Sequence, residues 1–167
     1  MSGFELVFLV LFIFTSLGIA WLVFEVLELK KRPINTGNAD TKNLQLQAYE
    51  RLSLLTERIS LQNLISRHPN SGLSAKEMKS VLIENIRSEF DHNVTQQIYV
   101  TSDAWRAVNN NKEQNIYVIN QLAASLPLQA TGMDLSKHIV DYLLHNPKGN
   151  LSTVVAEVLN FEAKKLM

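Results

Sequence analysis

The sequence has no cysteine, only six glycines and four prolines, and no basic residue before Lys30. Without cysteine there can be no disulfide scaffold, no thiol nucleophile and no thiolate metal site, and the lack fits a reducing compartment. With so little glycine, neither GxGxxG nor GxxxxGK[ST] occurs, so no loop of this kind cradles a phosphate. No serine sits in a GxSxG elbow. An excess of charge is missing too, since sixteen basic and sixteen acidic residues cancel. The charges are interspersed rather than clustered, which argues against a nucleic-acid partner.

An uncharged and almost wholly apolar stretch runs from Leu6 to Phe24 (LVFLVLFIFTSLGIAWLVF). At about 1.5 Å per residue these residues come close to the roughly 30 Å hydrocarbon core of a bilayer, which predicts a membrane helix. A cleaved signal peptide would have basic residues ahead of a shorter apolar run, and Met1 to Glu5 hold none. Lys30, Lys31 and Arg32 follow the run, so by the retention of positive charge the N-terminus is expected outside and the rest in the cytoplasm. Trp21 falls at headgroup depth, and Glu25 reaches water by snorkelling. Thr15, Ser16, Gly18 and Ala20 allow close approach of another helix, although no GxxxG is present. The expected organisation is a transmembrane anchor over residues 1–29, a linker over 30–40, rich in turn formers after Pro33, and a helical domain over 41–167. Beyond residue 29, sixteen basic against thirteen acidic side chains leave the chain mildly positive, at +3.

Periodicity in this second part is helical throughout. Leu44, Ala48, Leu52, Leu55 and Ile59 recur at three- and four-residue steps, with Leu54, Leu61, Leu64 and Ile65 widening the stripe until His68, Pro69, Asn70 and Gly72 end it. Ser74 and Glu77 form a capping box for the next helix, whose inward face is Met78, Val81, Leu82, Ile86 and Phe90. Asn93 to Thr101 reads as a loop or frayed helix end. A helix from Ser102 or Asp103 turns Trp105, Val108, Ile116, Ile119, Leu122 and Leu126 inward despite the poor helix formers Asn109 to Asn111, and Pro127 ends it. Two more helices are expected, from about Asp134 to His145 and from about Leu151 to Lys165, the last burying Val154, Val155, Val158, Leu159 and Phe161. The fold class is therefore all-α: one N-terminal transmembrane helix plus a soluble bundle of about five helices.

Chemistry-bearing residues are few. Asp134, His138 and Asp141 stand at i, i+4 and i+7 on one helix face, where two carboxylates can flank an imidazole and bind a metal; because Leu135, Ile139 and Leu143 already supply the buried stripe, an exposed polar face explains them more cheaply, and no metal site is expected. Glu89, Asp91 and His92 are of metal-binding type but do not share a face. Arg51, Arg58 and Arg67 with Glu50 and Glu57 read as a mixed-sign face. His92, Asn93, Gln96, Gln97, Tyr99 and Trp105 gather amides and aromatics around the irregular segment, either as a network fixing the loop or as a recognition surface for a protein. They are the expected interaction site.

The block Ile86 to Asn93, Gln96 to Thr101 and Trp105, with the apolar run and the Leu46–Ile59 helix, resembles small uncharacterised single-span proteins of Bacteroidota. The resemblance implies an inner-membrane protein with a helical cytoplasmic domain, and brings no catalytic residue with it. A tether and a motif-poor helical domain suit docking better than catalysis. The expected function is a non-enzymatic, membrane-anchored interaction module without cofactor, an accessory or adaptor subunit whose partners are the lipid bilayer and other membrane-complex subunits or itself. The alternatives are a membrane-tethered metal-dependent enzyme and a self-associating structural protein.

Overall fold

A computed structural model describes residues 35–68, 72–146 and 151–167. The Leu6–Phe24 run, with Trp21, lies outside the described residues. Among the described residues no helix is long and apolar enough to cross a membrane, and there are six α-helices, a 3-10 helix and no strand. The helices are α1 (Asn35–Arg58), α2 (Leu61–Arg67), α3 (Ala75–Asn93), α4 (Ser102–Ala124), α5 (Gly132–His145) and α6 (Leu151–Leu166), with the 3-10 helix at Val94–Ile98. A compact unit spans Thr41–Met167.

The first helix starts at Asn35, inside the segment expected to be linker, because extending a nucleated helix adds a hydrogen bond for each residue fixed. The long stripe expected from Leu44 to Ile65 is two helices. Ser60 takes an extended conformation and its hydroxyl accepts the Asn63 N–H, so it caps α2 and lets Leu61 and Leu64 reach the core from a new axis. That break makes six helices where about five were expected.

In the compact unit α3 packs against α2, α4 and α5, α5 also against α2 and α4, and α6 against α4. One core cluster runs through Leu52, Leu55, Ile59, Leu64, Met78, Leu82, Ile86, Val108, Ile119, Leu135, Ile139 and Leu159. Trp105, Ile116, Leu122 and Leu126 are partly buried against it. Leu44, Leu54, Val81, Val154, Val158 and Phe161, expected inward, are exposed. In α6 the buried Ser152, Val155 and Leu159 define the inner face, and Val154, Val158 and Phe161 sit on its shoulder, where no described neighbour covers them. An apolar arc wider than one packing face leaves its edge uncovered.

The N-termini of α3 and α5 meet back to back. Ser74 and Thr131 each head a capping box, with Glu77 and Asp134 returning to the cap backbone N–H. Between them Ala75 N–H donates to Ala130 O at 2.8 Å and Gly132 N–H to Leu73 O at 2.7 Å, an isolated antiparallel bridge. A side chain at Gly132 would stand 3.2 Å from Met78 Cβ and 3.3 Å from Leu73 O, so the close crossing favours glycine. Helix α5 therefore starts at Gly132, two residues before the expected Asp134. Helix α4 ends at Ala124, short of Pro127, in a tight turn where Ser125 N–H donates to Gln121 O.

Candidate functional site

Arg51, Leu54, Leu55 and Arg58 lie at three- and four-residue steps and so share one face of α1; Ser88, Glu89, His92 and Asn93 do the same on α3. The two faces line a solvent-open groove of about 530 Å³. Leu55 is buried at its floor, while Leu54 remains 55% exposed.

The groove is cationic. Glu89, with a side chain 17% exposed, lies 3.0 Å from Arg58 Nε and 3.6 Å from Arg67 Nη1. Arg67 also donates through Nη2 to Arg58 O at 2.6 Å and to Asn85 Oδ1 at 3.2 Å, tying α2 to the end of α1 and to α3. One carboxylate against two guanidinium groups leaves a positive charge in excess, and Arg51 adds another. Arg51 makes no ion pair or hydrogen bond with a described residue. His92 Nδ1 lies 2.6 Å from Ser88 O, and because a carbonyl only accepts, Nδ1 carries the proton and Nε2 is the free ring nitrogen. Asn93 Nδ2 donates to Glu89 O at 2.8 Å. Chemically this is a guanidinium-rimmed cleft over leucine, suited to a carboxylate that has an apolar neighbour.

Of the residues expected at the interaction site, His92 and Asn93 are on the groove wall. Gln96 and Gln97 belong to the 3-10 helix, where Gln96 Nε2 donates to Thr95 Oγ1 at 3.4 Å and Gln96 O accepts the Tyr99 N–H. Trp105 packs on Phe90, ring centroids 5.1 Å apart, and Lys112 Nζ sits 4.1 Å from the Phe90 centroid. Its ring is a packing element at the junction of α3 and α4. In the sequence Arg51 and Arg58 read only as part of a mixed-sign face. The signal that finds them is their seven-residue spacing around Leu54 and Leu55.

Asp134, His138 and Asp141 line a separate shallow depression of about 520 Å³ with Lys137, Leu126, Pro127, Gln129 and Ala130. Asp134 Oδ2 accepts from the Thr131 N–H at 2.9 Å and the Thr131 hydroxyl at 2.7 Å. Those bonds, the backbone one foremost, hold its carboxyl below the usual range. The carboxylate is thus engaged in a helix cap, and among the described residues no three His, Asp or Glu side chains are grouped to hold a metal ion.

Two internal polar networks were not visible in the sequence. Tyr49 OH donates to Glu162 Oε2 at 2.6 Å, Thr101 Oγ1 donates to the same oxygen at 2.6 Å, and Thr101 N–H donates to Tyr49 OH at 3.3 Å, clasping α1, the start of α4 and the end of α6. Deeper in, Ser152 Oγ donates to Asn111 Oδ1 at 2.9 Å, and Asn115 Nδ2 donates to Ile59 O at 2.9 Å. Asn111 belongs to the run read as poor helix former. Its amide nitrogen and the Thr56 hydroxyl are buried without a hydrogen-bond partner among the described residues.

Fold and groove together define, among the described residues, a small all-α domain with a guanidinium-rimmed cleft. The chain belongs to DUF7935, a family of unknown function, matched over residues 3–166. No curated protein and no solved structure matches it.

Proposed function

We propose that this protein is a membrane-anchored, non-enzymatic interaction module, an accessory or adaptor subunit of a larger membrane complex, with Leu6–Phe24 as anchor and the helical domain on the cytoplasmic side of a bacterial inner membrane. The observation that carries the reading is the α1–α3 groove, in which Arg51 makes no ion pair or hydrogen bond with a described residue while Glu89, Asn93 and His92 Nδ1 are engaged within the domain. A guanidinium without a described partner beside an exposed leucine supports docking, since Arg is enriched at interfaces. The uncharged run followed by Lys30, Lys31 and Arg32 supports the tether and its orientation.

The test is affinity purification of the full-length chain, tagged after Met167, from native membranes in mild detergent, with mass spectrometry of what accompanies it. A stoichiometric membrane complex is expected. Recovery of this chain alone, under conditions that keep other membrane complexes intact, overturns the adaptor reading.

Self-association is the second reading, favoured by one observation: Val154, Val158 and Phe161 stand exposed at i, i+4 and i+7 on α6, the spacing of a helix-pairing seam. It predicts a dimer or larger assembly of the purified full chain by sedimentation, lost in Val158→Glu.

A further inference from the structure

We propose that the α1–α3 groove takes an acidic segment of a partner protein, a carboxylate of which pairs with Arg51 while an adjacent apolar side chain covers Leu54 on the way to Arg58; this rests on the interaction-module reading above. The titratable groups facing the groove are Arg51, Arg58, Glu89 and His92, with Arg67 behind Glu89. Glu89 is already bracketed by Arg58 and Arg67, so an arriving anion meets net positive charge and an arriving cation is repelled by Arg51.

Geometry favours a carboxylate on a polypeptide. Arg51 and Arg58 are seven residues apart, about 10 Å along the helix axis, and each guanidinium offers a planar fork of donors that matches a carboxylate. Arg58 turns Nε to Glu89, and its two terminal nitrogens make no hydrogen bond to another described residue. Leu54 lies between the two arginines with more than half its surface in water. A lone inorganic anion leaves that leucine wet, whereas an acidic residue with an apolar neighbour in the same segment satisfies both features. Asn93 and the free His92 Nε2 lie within the same cleft and extend the polar rim.

The experiment uses the full-length chain in its native cells, with a photo-crosslinking side chain in place of Leu54 and mass spectrometry of the crosslinked peptide. The expected product is a segment of another protein with Asp or Glu beside the crosslinked residue or one helical turn away. Its yield should fall about tenfold in Arg51→Glu, as for reversal of a close charge pair, and recover when the partner's acidic residue is changed to Lys in that background. Arg51→Glu breaks no hydrogen bond or ion pair with a described residue, and an unchanged melting temperature shows that the fold is intact. No crosslink, a crosslink to lipid, to a second copy of this chain or to a segment without an acid, or failure of the charge swap each overturns the proposal. If the complex is still recovered by affinity purification in those cases, only the groove assignment falls; if it is lost as well, the interaction-module reading falls with it.

Discussion

Ser152 donates its hydroxyl to the amide oxygen of Asn111 at 2.9 Å, with both side chains buried. The bond hooks the start of α6 onto the middle of α4, and one turn further along α4 the Asn115 amide reaches the carbonyl of Ile59 at the end of α1. Three helices thereby share one polar seam inside an apolar core. A seam of this kind sets register, since a shift by one residue leaves several buried polar groups unpaired.

Ser152→Ala is expected to destabilise the domain by about 1–3 kcal/mol, because it strands a buried acceptor. Adding Asn111→Ala should cost less than the sum of the two single changes, with a coupling of about 1 kcal/mol. Urea denaturation of the four proteins of the cycle measures it, and strict additivity would show that the two side chains do not interact.

Tyr49 is the pivot of the second network. Burial first, and then its bond to Glu162, raise its pKa above the ordinary phenol value. The folded form therefore holds the proton where the unfolded chain has lost it, so the stability from this group is complete below about pH 10. It declines as pH rises through the folded pKa. Tyr49→Phe should cost about 1–2 kcal/mol at neutral pH from the lost hydrogen bonds, and its stability should fall less steeply above about pH 10 than that of the parent. Thermal melts of both proteins across the alkaline range decide it; parallel curves would refute the assignment.

Neighbouring leucines and valines separate the inner from the outer faces. Leu55→Ala and Leu159→Ala remove fully buried side chains and should each cost about 2–5 kcal/mol. Leu54→Ala and Val158→Ala, one residue away in each case, should change stability by less than about 1 kcal/mol. Chemical denaturation distinguishes the pairs, and equal losses within a pair would mean that the exposed member is covered in solution.

Helix positions were legible where local chemistry sets them. Ser74 and Glu77 mark a helix start because a capping box needs only residues three apart, and the structure has both of its hydrogen bonds. Thr131 and Asp134 form the same device, but its acid had been read as a metal candidate because Asp is chemically suited to either task. Leu54 and Phe161 looked like core because periodicity gives the width of an apolar arc without saying how much of it a neighbour covers. The inward position of Trp105 follows from helical period, whereas its packing partner Phe90 comes from another helix and is not encoded locally.

By itself the sequence determined the all-helical character of the domain, the main core stripes and the placement of one uncharged nineteen-residue run ahead of three basic residues. These follow from short-range rules, hydrophobic period, capping and charge order, that act within a few turns of chain. Only the tertiary structure decided that Arg58 and Arg67 share Glu89 while Arg51 pairs with no described residue, that Asn111 faces inward to Ser152, and that Tyr49 meets Glu162. The last two pairs are 41 and 113 residues apart. Their meeting depends on how helices cross, and no local preference encodes it.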